Sequence, residues 1–403
     1  MSLGELMAFA DSGSVQLRAA RAGVAARRES REAVDRSTLT PDVRFGASVG
    51  YLGDGYGWGR DSSYSFSVPM PHFSTRFGVE AQQVIYAGGA MKAAREQARL
   101  GEHLAQLGYE QQRQDVRLQL AGLYLDLYRS MRGLEVYDSN IVLTERLIAD
   151  IRTRREQGTA LKNDLTRYEL QLANLQMQRT RVENDMLITN SQIVTLAGLP
   201  QGTRVMPDSS FLASGQLVVA GDTSLAVQMA AAKAEMASQQ LRQSQSARLP
   251  YLAIVAQDQL NGPVTIDITP YNINYNYWFV GLQLNYNLSS LWKDSRAVQS
   301  ARHRQQQAVL ERQAADEQVH QQLDAALIRL DESRRNLAIK QKSLALAEEN
   351  YSLVADRYQN DLALLVDMLD AANTKLAAEL DLVTARIEVA YRNYMLQYIN
   401  GKL

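Results

Sequence analysis

The sequence carries one plan twice, and this internal duplication constrains the fold more than any other feature. The segment IYAGGAMKAAREQAR, which begins at Ile85, aligns with LSSLWKDSRAVQSAR, which begins at Leu288. The same shift continues without a gap to the LAGL that contains Gly198, which lands on the INGK that contains Gly401. Each half is therefore predicted to read helix, strand, loop, strand, long helix, turn and helix.

The duplication divides the chain into three parts. We expect a first structural repeat at 1–198 and a second at 222–403. Residues 199–221 hold two of the eight prolines and many turn-forming residues, so we interpret them as the connector, an equatorial region between the repeats.

Two very long helical runs, at about 89–157 and 292–360, contain no proline. At 1.5 Å per residue, each would reach roughly 100 Å, which is too long for burial in a compact domain. Apolar residues recur every seven positions, which indicates coiled-coil packing along the whole length. In the first run these residues are Leu127, Leu134, Ile141 and Ile148.

The shorter helices suggest how the long ones are covered. Residues 2–38 and 165–197 together are about as long as one long helix. We therefore expect these two segments to stack end to end, as a split column beside each continuous one.

Four segments alternate apolar and polar residues in the manner of strands, at 43–51, 77–85, 252–260 and 278–286. Their length and alternation are typical of membrane β-barrel strands, which need about 9–11 residues. An antiparallel sheet packed on helices is the alternative. The residues predicted to face lipid are Phe45, Val79, Trp278, Val280, Leu282 and Leu284.

Four strands cannot close a barrel, because about eight is the smallest number that works. Open edges in a bilayer would leave backbone groups unsatisfied. Several chains must therefore pool their strands, and these arguments alone allow two or three copies.

Composition narrows the classes of function. The 43 basic residues balance 44 acidic ones, which argues against nucleic-acid binding. The chain has no cysteine, its four histidines are scattered, and no nucleophile–base pair or phosphate loop is recognisable, so neither a metal site nor an enzyme is expected. No basic start followed by an apolar stretch precedes the first helix, so we expect any export signal to have been removed or never to have existed.

Several of these segments resemble the TolC family of outer-membrane efflux proteins. They are the YAGG after a strand, the LAG and ING endings of the halves, and VDMLDAANTKL at Val366. The resemblance implies a homotrimer whose chains give four strands each to a twelve-stranded barrel in outer-membrane lipid of a Gram-negative bacterium. It also implies an α-helical tunnel through the periplasm, and transport without catalysis. The partners would be a periplasmic adaptor and an inner-membrane pump of a tripartite efflux or type I secretion system.

The resemblance also implies roles for four residues. Asp367 and Asp370 match the aspartates that ring the pore constriction, and Tyr358 and Asp164 match a tyrosine and an aspartate that link neighbouring helices at the gate. The family arginine in the turn is replaced by Ala363, and the turn glycine by Asp361. The arginine link is therefore not carried over.

Simpler roles for the same residues stay open. Asp367 and Asp370 lie at the start of a helix, where carboxylates favour the positive end of the helix dipole. Tyr358 continues the apolar ladder of the second long helix, through Tyr351. The alternative function is a soluble periplasmic coiled-coil scaffold or adaptor protein, with the strands in a small sheet domain.

Overall fold

The computed structural model describes residues 1–159, 161–209, 224–265, 271–360 and 362–403. The chain forms two compact units, and each takes segments from both sequence repeats. The helical unit comprises Met1–Gly23, Gln106–Met229 and Gln313–Leu403, and the sheet unit comprises Val24–Ala105 and Ala230–Arg312. Asp361 and most of the predicted connector, from residue 210 onwards, lie outside the described residues.

Long helices dominate the described chain, and their bounds agree with the proline-free runs. The helices are α1 (Leu3–Gly13), α2 (Val15–Leu39), α3 (Ala90–Glu156), α4 (Lys162–Ala197), α5 (Leu225–Ser246), α6 (Ser290–Lys293), α7 (Ser295–Gln359) and α8 (Leu365–Ile399). None of the helices in the described ranges is both long enough and apolar enough to cross a membrane.

The N-terminal helical segment departs from the prediction in two ways. It is broken at Ser14, whose backbone is extended, with φ −60° and ψ 127°. Helix α1 also packs beside the last turns of α4 rather than end to end with it. The physical reason is that α1 has its own apolar face, formed by Leu3, Leu6 and Ala10, which is buried with Ile193 and other residues of α4.

The two repeats end their last helices in the same way. Gly198 follows α4 with φ 71°, and the N–H of Leu199 donates to the carbonyl of Val194 at 2.9 Å. Gly401 follows α8 with φ 69°, and the N–H of Lys402 donates to the carbonyl of Gln397 at 2.9 Å. Glycine suits both positions because a left-handed residue closes the helix without a Cβ clash. The duplication seen in the sequence is therefore also a duplication of backbone geometry.

The helical unit has a dense core around Tyr124. The Tyr124 ring is fully buried, its hydroxyl donates to the Met1 carbonyl at 3.0 Å, and it accepts from the N–H of Asp208 at 2.9 Å. Desolvation raises the pKa of this phenol to about 12. The other large side chains buried around it include Leu6, Leu17, Val116, Leu120, Leu125, Leu127 and Ile193.

A charged cluster joins α1 to α3 within the helical unit. The Asp11 carboxylate accepts hydrogen bonds from Arg113, at 3.1 Å, and from Arg117. Partial burial raises the pKa of Asp11, but the two guanidinium groups outweigh it and hold the pKa below its ordinary value. Arg117 also donates to the Leu403 carbonyl at 2.9 Å, so one side chain ties together both ends of the described chain.

The sheet unit holds a four-stranded antiparallel sheet of order β1–β4–β5–β6. Its strands are β1 (Asp42–Tyr51), β4 (Phe73–Tyr86), β5 (Tyr251–Gly262) and β6 (Tyr275–Asn285), and each covers most of a predicted segment. A separate hairpin of β2 (Gly55–Trp58) and β3 (Ser65–Val68) lies in what we predicted to be a loop. There Gly57 allows close packing, since a Cβ at that position would lie 2.6 Å from the Phe66 ring.

Candidate functional site

The turn between α7 and α8 holds the two aspartates predicted to line a constriction. Asp367 is the third residue of α8, and its Oδ2 accepts a hydrogen bond from the Leu364 N–H at 3.1 Å. The carboxylate therefore satisfies a backbone donor at the positive end of the helix. This contact supports the capping role at the helix start that was the alternative for Asp367.

Asp370 lies one turn further along α8 and shares a face with Asp367. Both residues are exposed, whereas Met368 between them is buried. The helix therefore points an apolar side chain into the protein and two carboxylates outward. The structure brings the two predicted residues together on one outward surface.

The turn between α3 and α4 repeats this cap. The Oδ2 of Asp164 accepts a hydrogen bond from the N–H of Leu161 at 3.4 Å. In the same way, the Oδ2 of Asp367 accepts a hydrogen bond from the N–H of Leu364. Asp164 and Asp367 are equivalent positions of the two repeats. Their shared geometry gives a structural reason for a carboxylate at each helix start.

Tyr358 contacts a residue that the sequence analysis did not single out. The guanidinium carbon of Arg154, in the last turn of α3, lies 4.9 Å from the centroid of the Tyr358 ring. Arg154 also donates to Asp150 at 3.1 Å. The pair joins α3 to α7 close to Ala363, where the family arginine is absent. No local pattern marks Arg154, because the contact joins residues far apart in the chain.

Close to these turns, a small apolar cluster joins α3 and α4 to α8. Its buried members are Ile148, Ile151, Leu165 and Tyr168, and Leu365 and Leu369 of α8 pack against it. Burial raises the pKa of the Tyr168 phenol, and the nearby Tyr358 and Tyr351 raise it further. Among the described residues its hydroxyl has no hydrogen-bond partner.

One face of the sheet carries all six residues predicted to face lipid. Phe45 pairs with Val79, Val79 with Asp258, and Asp258 with Trp278, so these residues form one row across the four strands. Val280, Leu282 and Leu284 follow at alternate positions of β6. The six predicted residues are 45% to 75% exposed, so none of the residues that the structure describes covers them fully.

Asp258 interrupts the apolar face. Its Oδ1 accepts from the Nδ2 of Asn276 at 2.8 Å, in the row of Trp278 near the loop end of the sheet. Below this row, towards the helices, the face is formed mainly by aliphatic side chains, including those of Ala256, Ile254 and Leu252.

The opposite face of the sheet is mainly polar, although the apolar Ala253 and Val255 of β5 also lie on it and are buried. One row across it reads Arg44, Glu80, Gln257 and Phe279. In another row the Tyr277 hydroxyl donates to the Oε1 of Gln259 at 2.9 Å. A sheet with one exposed apolar face and one mainly polar face has the pattern of a barrel wall between lipid and water.

Comparisons with known proteins identify the family. The family model for outer membrane efflux proteins matches residues 10–199 and 219–401. The chain belongs to this family. The predicted family is thereby confirmed.

Individual relatives are distant in sequence and close in fold. Outer membrane efflux protein BepC of Brucella suis biovar 1 (strain 1330) is 20% identical over 298 residues, which are 72% of this chain and 64% of that protein. The chain thus spans slightly less than two thirds of this relative. The crystal structure of VceC from Vibrio cholerae matches with a TM-score of 0.83 at 16% identity, over 99% of this chain and 96% of that one.

A second solved structure, the CmeC outer membrane channel of Campylobacter jejuni, matches with a TM-score of 0.79 at 14% identity. The match covers 99% of this chain and 85% of that one. At such identities the likeness establishes the fold. The predicted fold class, mainly α with a membrane β-barrel portion, is therefore confirmed.

Proposed function

We propose that three copies of this chain form a passive exit duct across the outer membrane and the periplasm. Each copy supplies four strands to a barrel of twelve, and the long helices form the wall of a tunnel. The chain performs no catalysis itself. Its partners are a periplasmic adaptor and an inner-membrane pump of a tripartite efflux or type I secretion system.

The four-stranded sheet is the observation that carries this proposal. Within the described residues, β1 and β6 each pair on one side only, so both are edge strands. An unpaired backbone group in lipid costs several kcal/mol, and four strands cannot close on themselves. The apolar face favours lipid, and the open edges favour pairing with other copies. Both requirements are met when β6 of one copy pairs with β1 of the next.

We assign the lipid contact to Phe45, Val79, Trp278, Val280, Leu282 and Leu284. Their exposure within the chain and their shared face support this assignment. We assign the constriction to Asp367 and Asp370, supported by their exposure on one side of α8. Three copies would place six carboxylates around a narrow mouth, which would attract cations.

The gate link between Tyr358 and Asp164 remains part of the proposal. Both residues belong to the helical unit and lie at the two helix turns. The contact between Arg154 and Tyr358 places a cation beside this tyrosine even though Ala363 replaces the family arginine. A cation on an aromatic ring contributes about 0.5–1 kcal/mol at an exposed site.

Native mass spectrometry and single-channel recording on one preparation test the proposal. The detergent-solubilised protein should show three times the mass of one chain, 45.0 kDa, and this species should form pores in planar bilayers. The purified protein should need detergent to stay in solution. A monodisperse monomer, or a trimer without conductance, would contradict the duct.

A further inference from the structure

The two strand-to-helix junctions of the sheet unit differ at equivalent positions. After β4, Gly88 and Gly89 turn the chain with φ 58° and 90°, and α3 begins at Ala90. The repeat shift places Leu291 and Trp292 at the positions of these glycines, and there the chain forms the single turn of α6. Two glycines are sufficient to make the junction, so the large apolar residues of the second repeat need another explanation.

The backbone of α6 is held in place from within the sheet unit. Ser290 is buried, and its hydroxyl donates to the Asn287 carbonyl at 2.6 Å. The Oδ1 of Asn287 accepts from the hydroxyl of Ser289 at 2.8 Å. Arg248 donates to the Leu291 carbonyl at 2.9 Å. These bonds fix the polar backbone while leaving the apolar side chains outside.

The side chains displayed by this fixed turn form a patch of four residues. Leu288, Leu291 and Trp292 are 59%, 42% and 64% exposed, and Lys293 is also exposed. We call these four residues the junction patch. Because their backbone is already ordered, binding through them would lose little conformational entropy.

The junction patch continues the apolar face of the sheet. Leu284 and Tyr286, both exposed, lead from β6 to Leu288 with no intervening charge. The strand pairing ends at Asn285, so the patch lies just beyond the strands on the helix side. In a membrane barrel, this is the level at which the acyl chains meet the headgroups. Tryptophan is enriched at that level, and lysine extends from it towards phosphate.

We propose that the junction patch is a membrane anchor whose partner is the headgroup–acyl boundary of the phospholipid leaflet on the helix side. The inference rests on the proposed function, because it requires the sheet to stand in a bilayer. Trp292 and the two leucines lie below the headgroups, and Lys293 contacts the phosphates. The first junction also exposes apolar residues, Ile85 and Tyr86, but it has glycines at the positions of Leu291 and Trp292. Each chain therefore supplies one tryptophan anchor, which fixes how deeply the sheet is inserted.

Tryptophan fluorescence tests the anchor directly, because the chain has only Trp58, Trp278 and Trp292. A Trp58→Phe, Trp278→Phe variant retains Trp292 as the single probe. It is reconstituted in phospholipid vesicles whose acyl chains carry bromine either near the headgroups or near the bilayer centre. The shallow bromine should quench Trp292 about twofold more strongly than the deep bromine, because interfacial side chains lie ~5–10 Å into the boundary.

The matched control is a Trp58→Phe, Trp292→Phe variant, which reports on Trp278 of the apolar sheet face. Native mass spectrometry verifies that both variants keep the oligomeric state of the parent. Quenched Trp278 with unquenched, acrylamide-accessible Trp292 would overturn the anchor and leave the embedded sheet intact. Trp292 protected from both bromine and acrylamide would also overturn it, since a second copy would then cover the patch. If lipid quenches neither probe, the embedded sheet itself is wrong.

Discussion

The core around Tyr124 in the helical unit and the apolar face of the sheet place their apolar side chains in opposite ways. In the helical unit, Leu120 and Tyr124 are fully buried by neighbouring helices of the same chain. In the sheet unit, Leu282 and Trp278 are 69% and 75% exposed. The hydrophobic effect stabilises the first arrangement within one chain, but it stabilises the second only when something outside the chain covers the face. The contrast therefore separates the core around Tyr124, which the chain's own helices cover, from the sheet face, for which we propose lipid as the cover.

The largest expected effect comes from truncating the core of the helical unit. Leu120→Ala should lower the free energy of unfolding by about 2–5 kcal/mol, because it leaves a cavity among packed helices. The same truncation at Leu282, on the exposed sheet face, is the matched control and should change the midpoint of thermal unfolding in detergent very little. Equal losses at the two sites would mean that the protein itself covers the sheet face, and the contrast would fail.

A charge on the sheet face sharpens the comparison in the membrane. Leu282→Arg should disfavour insertion by about 2–4 kcal/mol, the cost of arginine near the bilayer midplane of a β-barrel. Gln283→Arg is the control, since Gln283 is adjacent but points to the polar face. The measurement is the fraction of each variant that co-floats with vesicles as an oligomer. Equal insertion of the two variants would mean that lipid does not contact the apolar face.

Acid should weaken the helical unit through Asp11. Its pKa in the folded chain lies below the ordinary value of 3.8, so the unfolded chain binds the proton more readily. The stabilisation is complete above pH 3.8 and disappears as the pH falls through the lowered pKa. Asp11→Asn should therefore unfold more easily at neutral pH and show a flatter dependence between neutral and acidic pH. If the Asp11→Asn variant loses stability in acid as the parent does, other carboxylates cause that loss.

How much of this structure could be predicted follows from which features are local. The ends of α3 and α7 and the alternation of the four strands were predictable, because the absence of proline and the pattern of residues act over short stretches. The break at Ser14 was not, because it depends on how α1 packs against α4. The β2–β3 hairpin was missed because glycine-rich sequence resembles a loop, although Gly55, Tyr56, Gly57 and Trp58 do alternate. At the site, the caps at Asp164 and Asp367 could be inferred from position, whereas Arg154 beside Tyr358 could not.

At the start of α8, the helical unit exposes two carboxylates, those of Asp367 and Asp370, whereas the sheet unit exposes an apolar face. Asp367→Asn together with Asp370→Asn removes the charges but keeps an acceptor for the Leu364 N–H. Block of planar-bilayer conductance by trivalent cations on the periplasmic side should weaken about tenfold. Asp381→Asn, on the same helix and paired with Lys340, is the control and should block as the parent does. Unaltered block in the double variant would leave these residues with their capping role alone.

The smallest expected effect comes from a change at Tyr358, which is half-buried and so lies between the buried core and the exposed sheet face in its accessibility. Tyr358→Phe keeps the ring against Arg154 and removes only the hydroxyl, so it separates a hydrogen-bonded gate link from a simple rung of the apolar ladder. Loss of one such bond changes the closed state by about 1 kcal/mol per chain, and three copies act together. If the link holds the tunnel closed, single-channel conductance should rise while the trimer stays intact.

Tyr351→Phe is the matched control. Tyr351 lies on the same helix but away from the turn, with Lys375 5.0 Å from its ring centroid. A Tyr358→Phe channel that conducts like the Tyr351→Phe channel would place the closure elsewhere. The contact with Arg154, which both tyrosine variants preserve, would then be the next to remove, by Arg154→Gln.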